Sequence, residues 1–310
     1  MSFSETVLRP LTLRVAEHPW SRRAVTGTRP GRAVATRFVA GASLDDAMPI
    51  AASLDRRRIT SMLDFLGESV LTESQAEGAR TAHLEALAAI RDAPDLDCAM
   101  SLKLTQLGLE ISSEACLTNV EVIVDEAARS GTVVMIDMES VGYVDATLQV
   151  FRDAHARYPK VGVALQSSLR RTERDLEELP PGSRIRLVKG AYLEPPEVAY
   201  RSKREVDASY ARLFTTLFAR GHAIDVATHD PRLLEGVRRR VDAAGGGWAR
   251  VELQMRYGVR RDLQARFAGE GYPVRVYVPY GTEWYPYLTR RLAERPANVW
   301  FFLSNLLRIR

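Results

Sequence analysis

The sequence predicts an α/β chain closed into a (β/α)8 barrel. Three observations carry this. From residue 98 onward, short β-branched apolar runs alternate with segments of helical periodicity. Strands joined by helical crossovers form a parallel sheet, and counting from RAVATRFVA (32–40) gives eight, which suit a barrel. An open doubly wound sheet is the runner-up, but no GxGxxG follows an early strand. The composition agrees: 310 residues, 46% hydrophobic and 26% charged, suit one large α/β domain or two small ones.

Residues 1–31 read as an N-terminal helical arm that turns at TGTRPG. The barrel domain spans 32–298, with RAVATRFVAG (32–41) as its first strand. A helical insertion follows over about 44–93, with one helix across Ser53–Leu66 and another from Thr72. Thr72 and Gln75 have the spacing of a capping box. CAMSLKLTQLG (98–108) is the second strand, and the helix over 112–131 ends at a glycine. TVVMIDMES (132–140), VGVALQSSL (161–169) and RIRLVKGAY (184–192) come next, separated by helices over 145–157 and about 170–178. A helix over 203–220, the strand HAIDVATHD (222–230) and a helix over 231–243 follow. AGGGW (244–248) is a loop before the strand ARVELQMRYG (249–258) and a helix over 259–269. PVRVYVP (273–279) is the eighth strand, broken by Gly281 and Thr282. Pro286 is tolerated in a first helical turn, so a helix is expected from about Tyr285 to Arg295, stopped by Pro296. Residues 299–310, VWFFLSNLLRIR, form an apolar C-terminal helix.

Two sets of residues are candidates for chemistry. On the last barrel helix Tyr287, Arg290, Arg291 and Glu294 are spaced to share one face. Paired guanidiniums clamp a carboxylate, Glu294 can meet an amine, and Tyr287 offers a wall, which together suit an amino acid. A solvated face of i,i+4 ion pairs accounts for the same pattern. The second set lies at strand ends: Lys103, Asp137, Gln166, Arg186 with Lys189, Thr228 with His229, and Gln254. Each has a structural explanation alone, but a barrel mouth gathers strand ends into one pocket.

HExxH, P-loop, GxSxG and metal-ligand spacings are all absent, so no metal is expected. Such a pocket suits a cofactor that carries the chemistry. The net charge of +4 is small and the basic residues are scattered, so no nucleic acid is expected. Cys98 and Cys116 lack paired spacing and read as reduced packing residues of an intracellular protein. No N-terminal signal is visible, and no apolar run approaches the roughly 20 residues of a membrane span.

RLVKGAY (186–192), VATHD (226–230) and VYVPYGTEWYPYLTRRLAERPAN (276–298) resemble proline dehydrogenase. LKLTQLGL, VMIDME and VALQSSL extend the likeness across the barrel. The compact GTEWYPYLTRR form is similar to the short monofunctional bacterial enzymes, and 310 residues leave no room for the aldehyde dehydrogenase of the bifunctional ones. The resemblance implies a distorted TIM-type barrel with extra N-terminal helices and a C-terminal helix, holding FAD noncovalently. It implies oxidation of L-proline to Δ1-pyrroline-5-carboxylate by hydride transfer to flavin N5, the first step of proline catabolism to glutamate. A membrane quinone would accept the electrons, and a separate pyrroline-5-carboxylate dehydrogenase would take the product. The implied location is cytoplasmic, with a peripheral contact at the inner face of the plasma membrane and an oligomer both compatible.

The resemblance also implies roles. Arg290 and Arg291 would clamp the proline carboxylate, with Glu294 near the amine and Tyr287 and Tyr277 on the ring. Lys103 and Asp137 would lie on the substrate side, Asp137 holding a hydrogen-bond network, and Arg186 would act near flavin N5. Met138, Gln166, Val188, Gly190, Ala191, Thr228 and His229 match flavin contacts, and Lys189 and Gln254 join them from the strand-end set. Tyr192 and Leu253 are further candidates, and Lys203 falls in a variable cofactor-contact region. Two rivals stand beside this: a Schiff-base aldolase-type barrel using Lys189 or Lys103, and a ligand-binding barrel without turnover. The 299–310 segment suits a membrane-surface helix or packing on the body, and its shortness favours packing.

Overall fold

Capped helices alternate with short strands through the computed structural model, which describes residues 36–67, 70–285 and 287. Helix α1 (Leu44–Asp55) begins with a reciprocal cap between Ser43 and Asp46. Strand β1 (Thr60–Phe65) follows a turn in which Arg58 takes a left-handed conformation, φ 58°. Helix α2 (Glu73–Arg91) starts with the expected Thr72–Gln75 box. Then come β2 (Cys98–Leu102), a 3-10 turn (Leu104–Leu107) and α3 (Ser113–Ser130), capped by Ser112 and ended by left-handed Gly131. The series continues with β3 (Val134–Ile136), α4 (Val144–Arg157), β4 (Val161–Gln166), α5 (Thr172–Glu177) and β5 (Arg184–Val188). It closes with α6 (Lys203–Ala219), β6 (Ala223–Ala227), α7 (Pro231–Ala243), β7 (Val251–Arg256), α8 (Arg261–Gly269) and β8 (Val274–Tyr280).

The eight strands pair in sequence order, all parallel, and β8 returns to β1 to close the barrel. The expected fold class is therefore present. Its first strand is not where the sequence pattern put it. Of the described part of RAVATRFVAG, residues 36–41, residues 36–38 form a helical turn and none is strand. The first barrel strand is TSMLDF, inside the stretch read as a helical insertion. The error has a physical cause. A barrel strand is buried on both faces, so its alternation is weak. Ile59, Met62, Leu63 and Leu66 are all buried at spacings that also fit a helix. Trp284, Tyr285 and Tyr287 are helical, at the place where a helix was expected to start, and residues 288–295 of that expected helix lie outside the described residues. So do residues 1–31 and 299–310.

Outward-facing residues of the strands pack with the helices in one large apolar core. The barrel interior is different. Met62, Ala99 and Met135 form a small apolar layer there. Below it, toward the strand starts, lies an ionic floor. Arg184 pairs with Asp225 at 2.8 Å, and Arg275 pairs with Glu252 at 2.8 Å and Asp97 at 3.0 Å. Gly162 makes room, since a Cβ there would sit 2.7 Å from both the Arg184 carbonyl and Met135 Cε.

At the other end of the barrel, Gly281 (φ 132°) turns the chain after β8; a Cβ would lie 2.7 Å from the Leu66 carbonyl. Cys98 and Cys116 are free and buried, and burial pushes their thiols up to about 11 and about 12. Among the described residues no helix is long and apolar enough to cross a membrane.

One buried histidine makes stability pH-dependent. His83 on α2 donates from Nδ1 to the Ala79 carbonyl at 2.9 Å, and burial lowers its pKa from 6.5 to about 4. The unfolded chain then binds more protons between these two values. Stability from this group is complete above pH 6.5 and falls as pH drops through the folded pKa. Between pH 7 and 5 it should cost about 2 kcal/mol. Urea melts of wild type and His83→Phe at both pH values check this: the variant should lose less stability by about that amount, and equal losses would refute the assignment.

Candidate active site

Strand closure brings five charged or polar side chains together at the C-terminal end of the barrel. Asp64 lies near the end of β1, Lys103 and Asp137 directly follow β2 and β3, and Arg186 and Tyr277 sit on β5 and β8. Inward positions alternate along each strand, which is why these residues share the interior. Lys103 Nζ pairs with Asp64, donates to Tyr277 Oη at 3.2 Å and lies 3.5 Å from Asp137 Oδ2. Tyr277 Oη donates to Asp137 Oδ2 at 2.7 Å. The Arg186 guanidinium donates to Asp137 and, at 3.1 Å, to Ser101 Oγ. It also lies against Met62 Sδ and 5.2 Å from the centre of the Tyr277 ring.

The electrostatics follow from this geometry. Burial raises the pKa of Asp64, and Lys103 only partly offsets it. Burial works against the Lys103 ammonium too, but Asp64, Tyr277 and Asp137 hold its pKa well above the usual lysine value. Asp137 is half-buried and partly desolvated, yet Arg186 and Lys103 keep it below the usual carboxylate range. Asp137 is thus the firmly ionised carboxylate, and Asp64 takes the proton first as pH falls.

A second group of residues forms a polar cradle over β4 to β6. The Gln166 amide donates to the Glu139 carbonyl at 2.6 Å and the Met138 carbonyl at 3.4 Å. Its Oε1 and the hydroxyl of Ser168 are buried with no partner among the described residues. Both lie beside Gly190 (φ 108°), where a Cβ would collide with Ser168 Oγ and come 3.0 Å from Gln166 Oε1. Only glycine suits that backbone. The Val188 and Lys189 carbonyls accept the Ser167 and Ser168 N–H groups at 2.8 Å. Lys189 bridges Asp207 and Asp230, and Lys203 joins the same two carboxylates. Thr228 is buried and accepts the Asp230 N–H at 3.2 Å, and His229 Nε2 accepts the Arg256 N–H at 2.8 Å. Ala191 is half-buried, and Tyr192 is exposed. Two polar atoms without a partner among the described residues and a glycine-only approach fit a flat, polar group such as a flavin.

The structure places the other expected residues and adds further ones. Gln254, expected against a cofactor, is hydrogen-bonded at both ends of its amide. Its Oε1 accepts from Arg186 Nε at 2.9 Å, and its Nε2 donates to Glu252 at 2.9 Å. It therefore holds Arg186. Leu253 points into the outer core, away from the site. Tyr287 is buried with Val39 and Leu66. Arg290, Arg291 and Glu294 lie outside the described residues. Sequence reasoning missed Asp64 because its strand was read as helix. It also passed over Glu139, two residues beyond Asp137 in the VMIDME segment. Glu139 accepts from Thr105 N at 3.1 Å and Thr105 Oγ1 at 2.7 Å, and burial raises its pKa.

Comparison with known proteins bears on this site. The family model described as Proline dehydrogenase matches residues 47–303. Proline dehydrogenase from Deinococcus radiodurans is 40% identical over 283 residues, covering 89% of this chain and 90% of its own. Proline dehydrogenase 1 from Bacillus subtilis subsp. natto is 37% identical over 285 residues, covering 91% and 92%. Among solved structures, proline utilization A from Bdellovibrio bacteriovorus, inactivated by N-propargylglycine, aligns with a TM-score of 0.79 at 24% identity over 85% of this chain. A mutant of proline utilization A from Bradyrhizobium japonicum aligns at 0.71 and 20% identity over 91%. At those identities the likeness concerns the fold, and this chain spans 33% of each of those solved chains.

The Lys103 pairing has a measurable consequence. Lys103→Met leaves buried Asp64 without its cation and facing half-buried Asp137, and should cost about 3–5 kcal/mol in urea melts at pH 8. Its stability should recover as pH falls and Asp64 protonates in the folded state. Adding Asp64→Asn should restore much of the loss at pH 8. A Lys103→Met variant as stable as wild type would mean the pair is not formed.

Proposed function

Because the chain belongs to the proline dehydrogenase family, we propose that it oxidises L-proline to Δ1-pyrroline-5-carboxylate with FAD as its cofactor. The observation that supports this reading is the polar cradle, where the partnerless Gln166 Oε1 and Ser168 hydroxyl flank Gly190, in a barrel that also buries the Arg186 guanidinium. FAD, when bound, supplies the acceptor that takes hydride at its N5 from the carbon beside the proline nitrogen. Gln166, Ser168, Gly190, Met138, Val188, Ala191, Thr228 and His229 would hold it, with Arg186 near N5.

The protein's part is positioning and charge. Arg290 and Arg291 would clamp the carboxylate of proline, and Glu294 would face its amine. Tyr277 and Tyr287 would bound the ring. A two-point hold on the carboxylate would fix the reacting carbon. The amine must be unprotonated for its lone pair to assist hydride departure. Asp137 is poorly placed as the base, since Arg186 and Tyr277 already donate to it and Lys103 lies beside it. We assign it to orienting Arg186 and Tyr277. Electrons would pass to a membrane quinone through a peripheral contact on the cytoplasmic face, and a separate dehydrogenase would take the product.

A Schiff-base reaction is less well supported. A nucleophilic lysine must lose its proton, yet Asp64 and Asp137 hold Lys103 charged, and Lys189 bridges two carboxylates.

An absorbance spectrum tests the reading. The purified protein should show flavin bands that bleach on anaerobic addition of L-proline. Absence of flavin after reconstitution would overturn it. Arg290→Met or Arg291→Met should raise KM for proline roughly 10- to 100-fold, the worth of one or two charge-assisted hydrogen bonds. Arg186→Gln should instead slow flavin reduction at saturating proline. An unchanged KM in both clamp variants would refute the clamp.

A further inference from the structure

Asp137 directly follows the shortest of the eight barrel strands. Strand β3 is 3 residues long, while β4 on one side has 6 and β2 on the other has 5. Its pairing to β2 ends at Asp137 itself, whose N–H donates to the Leu102 carbonyl at 2.8 Å. Beyond that point the ladder offers the chain nothing. A segment with few backbone bonds opens locally at low cost, which is a poor support for a group that must hold a guanidinium.

Side chains continue the pairing where the backbone stops. Glu139 accepts the N–H of Thr105 at 3.1 Å and its hydroxyl at 2.7 Å. Thr105 lies in the 3-10 turn that starts just after Lys103. On the other side, the Gln166 amide donates to the backbone carbonyl of Glu139 at 2.6 Å. One residue therefore ties the β2, β3 and β4 loops together, between Lys103 on one side and Gln166 on the other. Farther along, Glu194 accepts the Val141 N–H at 2.8 Å and fixes the end of the same loop. The two groups that donate to the Glu139 carboxylate, the N–H and hydroxyl of Thr105, are both uncharged.

We propose that Glu139 is a positioning residue: its carboxylate clamps the loop after β3 to Thr105, and so sets where Asp137 meets Arg186 and Lys103. It acts through Asp137. Because its donors are neutral, its shape and acceptor capacity matter more than its charge. A glutamine can keep the Thr105 N–H bond through its oxygen, and the Thr105 hydroxyl can turn to accept from the glutamine amide.

The kinetic part of the test rests on the proline dehydrogenase reading. In the holoenzyme, Glu139→Ala should lower kcat roughly tenfold or more through misplacement of Asp137, while KM for L-proline stays within about threefold. Glu139→Gln should keep kcat within about threefold of wild type. Thr105→Val should fall in the same direction as Glu139→Ala, and the double variant should lose little more, because both delete one clamp. Amide hydrogen exchange of residues 137–142 should rise in Glu139→Ala and not in Glu139→Gln, whatever the substrate. Should Glu139→Ala fail to fold, Thr105→Val carries both measurements. A glutamine variant as slow as the alanine variant would overturn the proposal, because charge or proton transfer would then be the role. Unchanged exchange over 137–142 would overturn it as well. Wild type that never oxidises proline would strike the activity reading alone, and the exchange result would still decide the clamp.

Discussion

A guanidinium cannot shed its proton, so burying Arg186 inside a closed barrel constrains its surroundings. The group is 3% exposed. Every donor it presents must find an acceptor within the ring of strands, because an uncompensated buried charge is strongly destabilising. Asp137 and Ser101 meet one nitrogen and Gln254 another. Gln254 can face Arg186 with its oxygen because Glu252 takes its amide hydrogen from below. Glu252 in turn stays ionised because Arg275 and Arg184 flank it, despite burial. One cation in the active centre thus leads, acceptor by acceptor, to the ionic floor of the barrel.

Above Arg186 the same reasoning separates two carboxylates that look alike in sequence. Asp64 and Asp137 both approach Lys103. Asp137 alone also has Arg186, and that second cation decides which one stays ionised. The pocket therefore presents a fixed anion at Asp137 and a cation at Lys103. This division suits a protein that holds reactants in register and leaves bond-making electrons to a bound group.

Much of this was legible in the chain. Strands two to eight stood out because their crossover helices carry sharp ends, such as Ser112 and Gly131 around α3 or Asp230–Pro231 before α7. Polar residues at strand ends were visible one by one, and closure brought Lys103, Asp137, Gln166 and Arg186 to the same mouth. The first strand was hidden because both its faces are buried, and Asp64 was hidden with it. What Gln254 does was not legible either. Its partner Arg186 is 68 positions away, and only the stagger of a closed sheet sets them level. Short-range spacing has no access to that register.

The ionic floor also shapes how the fold responds to heat. Arg184, Asp225, Glu252 and Arg275 fill a layer that many barrels fill with branched aliphatic side chains. At room temperature such ions lose much of their mutual attraction to the work of removing them from water. That work shrinks on warming, because ion hydration carries an unfavourable entropy, whereas apolar burial gains little more per unit area. The layer beneath the active centre should therefore hold its share of stability as temperature rises, and the barrel wall should give way elsewhere first.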